Sequence, residues 1–241
     1  MLFIRRILMK YIKKFINYFT LFELLLWCGS MLLVMLSFTL FDRENSLNLI
    51  ASLIGVTSLI FCAKGNPAGN ALMVVFSLLY GYISYTFSYF GEMITYLGMT
   101  LPMSVICLVA WLRNPYNGNK AQVKVNSTIS KKEHILMWIM AIFVTAVFYF
   151  ILEFFNTANL IPSTVSITTS FVAVYLCARR SPYFTIAYAA NDVVLIVLWV
   201  LASLNNTEYI SVAVCFIVFL INDIYGFIKW LDMAKKQGSR N

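Results

Sequence analysis

The chain has 241 residues, of which 61% are hydrophobic and 12% charged, with a formal net charge of +8; soluble domains run near 45–50% apolar and about 25% charged. That excess of apolar surface excludes a water-soluble fold. The positive balance does not mark a nucleic-acid binder, because the basic residues are dispersed between apolar stretches and gather on no polar domain.

In chain order, Arg5, Arg6, Lys10, Lys13 and Lys14 precede an apolar run from Tyr18 to Phe41. The run is too long for the core of a secretory signal and passes into Asp42, Arg43 and Glu44 without a small-residue cleavage site, so it is expected to remain as a membrane helix. Further runs near 47–63, 67–90, 93–113, 134–155, 160–178, 182–204 and 208–231 approach the length that crosses roughly 30 Å of hydrocarbon. The stretch from Asn114 to Glu133, rich in Asn, Lys and Ser, is the one long polar linker.

Lys and Arg favour cytoplasmic loops, whereas acidic residues contribute little to orientation. With the N-terminus inside, the inner gaps hold Lys64, then Arg113, Lys120, Lys124, Lys131 and Lys132, then Arg179 and Arg180, then Lys229, Lys235, Lys236 and Arg240; Arg43 is the exception. Asp42, Glu44, Glu92, Glu153 and Glu208 fall in the outer gaps. The pattern predicts an all-α integral membrane protein of about eight helices with both termini cytoplasmic.

The segment from Ser58 to Pro67 aligns without a gap on that from Ala173 to Pro182, sharing Cys-Ala, a basic residue and a proline three positions further on. Glu92 then falls opposite Glu208 and Trp111 opposite Trp230. Two three-helix repeats fused directly would be inverted, and the helix near 134–155 restores parallel orientation. The expected organisation is a basic N-terminus and extra helix (1–45), a first triplet (46–113), linker and connecting helix (114–159), a second triplet (160–231) and a tail (232–241).

Ionisable residues deep in a span are costly and mark function by default. Asn191-Asp192 and Asn222-Asp223 qualify; Asp192 lies about 15 Å along a helix from Pro182, near the bilayer middle. Phe184, Tyr188 and Asn191 share a face with Asp192 at its edge, and Asn222, Tyr225 and Gly226 share another. Aromatic faces with Asn and Asp suit a flat ring bearing hydroxyls, and a cationic ring would gain roughly 0.5–2 kcal/mol from each aromatic face. The alternative is that the dyads only hold helices together. The first triplet offers Asn70, Tyr80, Tyr82 and Tyr85 but no acid within the membrane, which places the site mainly in the second triplet. Glu23 is expected to snorkel to the interface, and Trp199 and Trp230 to anchor there.

The single histidine, His134, stands at a helix start, and the five cysteines are scattered singly, as expected of small buried fillers. No metal cluster, phosphate loop or Ser–His pairing is legible, so no enzyme, metal or cofactor is expected.

The three-one-three layout, the stretch from Tyr96 to Trp111, the segment from Arg180 to Asp192 and the ending from Asn222 to Trp230 resemble the PnuC family of bacterial vitamin transporters over about residues 46–231. The resemblance implies a SWEET-like fold and a plasma-membrane carrier, assembled as a homotrimer. Its cargo would be nicotinamide riboside, a ribosylated cationic pyridinium, moved by facilitated diffusion and drawn inward by cytosolic phosphorylation. One departure stands out. Family members commonly carry Trp-x-x-Trp-x-x-x-Asn on the seventh helix; aligning on Asn191 puts Phe184 and Ala187 at the Trp positions, and aligning on Asp192 puts Thr185 and Tyr188 there. Thiamine, riboflavin or a deoxynucleoside remain alternative cargoes, and a membrane scaffold an alternative role.

Overall fold

In the computed structural model, which describes residues 18–86 and 90–238, eight helices are long and apolar enough to cross a membrane. They are α1 (Leu21–Phe41), α2 (Ser46–Ala63), α3 (Pro67–Thr86), α4 (Phe90–Leu112), α5 (Lys131–Phe154), α6 (Leu160–Ala178), α7 (Phe184–Ser203) and α8 (Tyr209–Gly238). The N-terminal basic residues Arg5 to Lys14, and Arg240, lie outside the described residues.

Local chemistry sets the ends. α1 starts three residues later than expected because Thr20 and Glu23 form a reciprocal capping box: Thr20 Oγ1 accepts from the Glu23 amide at 3.2 Å, and Glu23 Oε2 from the Thr20 amide at 2.7 Å. α8 runs past its expected end at 231, its last turn carrying Lys235 and Lys236 where the helix dipole is negative. α2 and α6 end alike. Gly65 (φ 66°) and Arg180 (φ 59°) are left-handed; their amides donate to Cys62 and Cys177 O at 2.9 Å, and the next amides, of Asn66 and Ser181, to Phe61 and Leu176 O at 3.0 Å. Glycine holds that conformation freely, whereas Arg180 does so at a cost of about 1–2 kcal/mol.

The expected linker is partly an ordered hairpin, β1 (Pro115–Tyr116) antiparallel to β2 (Asn119–Val123), turning through left-handed Asn117 and Gly118. Asn-Gly is a strong hairpin signal, outweighed in the sequence by the polarity around it. From Val123 onward the linker straps across one end of the bundle. The Val123 amide donates to Gly65 O at 2.9 Å and the Asn126 amide to Arg180 O at 3.0 Å, while Gln237 of α8 accepts from the Val125 amide at 2.7 Å.

Packing closes six helices into a ring, α2–α3–α4–α6–α7–α8 and back to α2; α1 lies outside against α2 and α8, and α5 outside against α6. The ring has a basic end, with the turns at Lys64 and Arg179–Arg180, and an acidic end, with Asp42, Glu92 and Glu208. Buried side chains fall into two clusters, one around Trp111, Trp230 and Phe184 and one around Phe76, Tyr80, Trp199 and Phe219. Bulky apolar side chains such as Phe143, Phe150, Ile161 and Ile228 remain exposed, as a lipid-facing surface requires.

Three expectations need correction. Trp230 is not an interfacial anchor: it is fully buried, its indole donating to Cys62 O at 2.9 Å, and Trp199 is buried as well. Glu23 does not snorkel; it is 1% exposed and engaged by Lys64, Lys229 and Tyr225. Cys28 is exposed, unlike the other four cysteines.

Candidate functional site

The ring encloses a cavity of about 120 Å³. Six of the eight residues singled out in the sequence line it: Asn70, Phe184, Tyr188, Asn191, Asp192 and Asp223. The other two do not. Asn222 donates to Ser30 Oγ of α1 at 2.9 Å, and the Tyr225 hydroxyl donates to Glu23 Oε1 at 3.0 Å, so both side chains serve the seam with α1.

α7 and α8 are tightly packed, and both present a buried acid, Asp192 and Asp223, to the cavity wall. Beside them Asn191 is fixed by α6: its Oδ1 accepts from Thr169 Oγ1 at 2.7 Å and Ser170 Oγ at 3.0 Å. Across the cavity Asn70 of α3 uses its Oδ1 for the Cys177 thiol at 3.6 Å. α3 can approach α2 this closely because Gly69 has no side chain; a Cβ there would stand 2.5 Å from Cys62 Sγ.

Among the described residues, four that line the cavity carry a buried polar atom with no partner: Asn70 Nδ2, Asp192 Oδ2, Trp199 Nε1 and Thr157 Oγ1. Leaving such atoms unpaired costs about 1–3 kcal/mol each, so their convergence on one space is what a polar ligand would relieve. The set offers two donors in Asn70 and Trp199, an acceptor in Asp192 and a hydroxyl that does either. Among the described residues no Lys, Arg or His lines the cavity. Among the described residues no group of His, Cys, Asp and Glu is arranged to hold a metal ion.

The walls are broader than the sequence suggested. α4 contributes Glu92, Thr95, Tyr96 and Thr100, and α6 contributes Ser163, Ser166 and Ser170. The sequence places Glu92 in an outer gap, yet α4 begins at Phe90 and carries it into the wall, so the first triplet does bring an acid. The α6 hydroxyls had no legible signal, since Ser and Thr in a span commonly bond their own helix backbone.

At the basic end the cavity stops on Phe184, whose ring stands edge-on to Trp230 at 4.8 Å and to Trp111 at 5.9 Å. The two indoles lie 5.2 Å apart and bond reciprocally: Trp111 Nε1 donates to Cys177 O of the second triplet, and Trp230 Nε1 to Cys62 O of the first, both at 2.9 Å. Neither Trp has exposed surface, so this end is shut.

Comparison with known proteins agrees with this architecture. The family described as nicotinamide mononucleotide transporter matches residues 45–232. A relative from Neisseria mucosa, named nicotinamide riboside transporter PnuC, is 24% identical over 204 residues, covering 83% of this chain and 77% of that protein. Another of the same name from Haemophilus influenzae is 22% identical over 199 residues, covering 80% of this chain and 82% of its own. The crystal structure of the vitamin B3 transporter PnuC superposes with a TM-score of 0.77 at 23% identity, over 91% of this chain and 94% of that one.

Proposed function

The chain belongs to the nicotinamide mononucleotide transporter family, and from that premise we propose that it carries nicotinamide riboside across the bacterial plasma membrane by facilitated diffusion. The observation that supports the riboside most directly is the burial of Asp192 and Asp223 in the wall of one cavity that no described Lys, Arg or His lines. Two carboxyl groups in a space poor in water favour a cation between them. Nicotinamide riboside carries its positive charge on a flat pyridinium ring, which suits Tyr188 and Tyr96, and its ribose hydroxyls and amide suit Asn70, Asn191 and the α6 serines. The mononucleotide adds a phosphate of about −1.5 to −2 charge. In this cavity that group would face Glu92, Asp192 and Asp223, and no described Lys or Arg lines the wall to receive it.

The two triplets form, in this reading, a parallel repeat whose rocking exposes the cavity to either side. The reciprocal Trp111 and Trp230 bonds and the matching turns at Gly65 and Arg180 support it. The basic end faces the cytoplasm, as the segregation of Lys and Arg supports, which places both termini there. Assembly as a homotrimer and capture of the cargo by cytosolic phosphorylation complete the proposal.

Purified protein in liposomes tests it. Labelled nicotinamide riboside should enter saturably without a proton or sodium gradient and stop at equal concentrations, whereas the mononucleotide should not enter. Asp192→Asn should raise the concentration for half-maximal uptake about tenfold, equivalent to about 1.4 kcal/mol of lost attraction. Flux of thiamine, riboflavin or a deoxynucleoside without riboside flux would reassign the cargo; no flux of any, with Asp192→Asn altering only thermal stability, would favour a scaffold.

A further inference from the structure

A second chamber, also about 120 Å³ in volume, lies at the acidic end, where the α1–α2 turn covers the meeting point of α3, α4, α7 and α8. Its wall carries three carboxylates from three separate parts of the chain: Asp42 after α1, Glu92 on α4 and Glu208 before α8. Glu92 and Trp199 line this chamber and the central cavity alike, so together they form the neck between the two. Trp199 is 8% exposed and its Nε1 has no partner. Asn48 Oδ1, also in the wall, is buried and unpartnered. Tyr80 and Tyr209 add aromatic surface, the Tyr209 ring standing 5.4 Å from Trp199.

The Asp42 and Glu208 carboxylates repel one another across this small space, and no described Lys, Arg or His lines the pocket to balance them. The effect reaches Asp42, whose carboxyl is raised above the usual range, first by burial and further by the Glu208 carboxylate, against the lowering effect of the Asn45 and Asn48 amides. A monovalent cation with an aromatic face would relieve that repulsion and lie against the indole, with a carbonyl or hydroxyl to accept the Trp199 N–H.

We propose that this chamber is an outer waiting site for an aromatic cation, in which Asp42, Glu92 and Glu208 supply the attraction and Trp199 the wall and a hydrogen-bond donor. The cargo rests there before passing the Glu92–Trp199 neck into the central cavity. The identity of the cargo rests on the riboside reading; the chamber's preference for an aromatic cation does not.

Two measurements separate the two claims. The first uses N-methylpyridinium, a plain aromatic cation, as a quencher of indole fluorescence in the purified protein. A saturable component of quenching is expected, absent in Trp199→Phe and weakened in Glu208→Lys. Glu208 is exposed, so its substitution leaves the packing intact. The second is riboside uptake at low ionic strength, where Glu208→Gln should raise KM roughly threefold and Glu208→Lys roughly tenfold, with kcat unchanged and both effects fading as salt is added. Saturable quenching that is identical in wild type, Trp199→Phe and Glu208→Lys would overturn the chamber. Unchanged KM in both Glu208 variants of an active carrier would do so too. Quenching that behaves as expected in a protein that moves no riboside would sustain the chamber and defeat the riboside reading.

Discussion

Glu23 shows how far a single carboxylate can be committed. At 1% exposure it accepts from the Thr20 amide at 2.7 Å, Lys64 Nζ at 2.9 Å and the Tyr225 hydroxyl at 3.0 Å, with Lys229 Nζ at 3.6 Å, so α1, the end of α2 and α8 converge on two oxygen atoms. Lys64 and Lys229 keep some access to water, so neutralising the acid should not strand them completely. Glu23→Gln should lower stability by about 1–3 kcal/mol and Glu23→Ala by more; thermal melting in detergent checks this, and an unaltered melting temperature in both would remove the network's structural role. The residue was hidden in the sequence because an acid near a span end has a cheaper explanation in the lipid interface. Asp192 and Asp223 were legible for the opposite reason, since each interrupts an apolar run where no interface is in reach. Asn222 and Tyr225 share a helix turn with Asp223, and sequence spacing alone could not tell the cavity side of α8 from the side that meets α1.

The informative element is α4. Its course is α-helical over Phe90–Ile94, π-helical over Thr95–Thr100 and α-helical again over Leu101–Leu112. Pro102 follows the π segment; it has no amide proton, and its ring crowds the carbonyl one turn back, which a wider turn accommodates. Thr100 Oγ1 reaches the Thr95 carbonyl at 3.3 Å across that turn. The extra residue per turn turns side chains on its two sides by about 100° relative to a continuous α-helix. Tyr96, Thr95 and Thr100 thereby line the cavity, with Tyr96 packed on Tyr80 at 5.1 Å. Pro102→Ala should let the segment relax toward α geometry: melting temperature unchanged or higher, uptake lowered about tenfold or more because Tyr96 and Thr100 leave their positions. A variant with full uptake would separate the π turn from the site. Helix length and apolarity were readable throughout, α6 to both end residues, because 20 apolar residues have one inexpensive arrangement in lipid. A shift of one residue in register changes no hydropathy and was therefore invisible.

For the whole molecule, the Trp111 and Trp230 pair is the point where the two triplets hold each other. Each indole donates into the other triplet, so separating the basic ends breaks both bonds together. The acceptor carbonyls belong to Cys62 and Cys177, whose thiols are buried just beside the seal, and they can report on it. Trp111→Phe or Trp230→Phe should speed labelling of these thiols by a membrane-impermeant reagent applied from the basic side by about fivefold, from roughly 1 kcal/mol per bond. The double variant should fall short of the product of the two if the bonds act as one closure, because each single variant already loses their mutual support; labelling as slow as in wild type would place the seal elsewhere. The echo of Cys-Ala-basic around Cys62 and Cys177 made this correspondence legible, whereas the partners of the two Trp residues lie more than 60 positions away and needed the fold. The strap adds an asymmetry of its own. Val123 and Asn126 tie the linker backbone to both basic turns, so the basic mouth opens against a tether that has no counterpart at the acidic mouth among the described residues. For the passive carrier we propose, detailed balance forbids this from altering the concentrations at which flux stops. It sets instead how dilute a solution each face can sense: a mouth open for a small fraction of the time binds with an apparent affinity reduced by that fraction, so uptake half-saturates at a lower concentration than release.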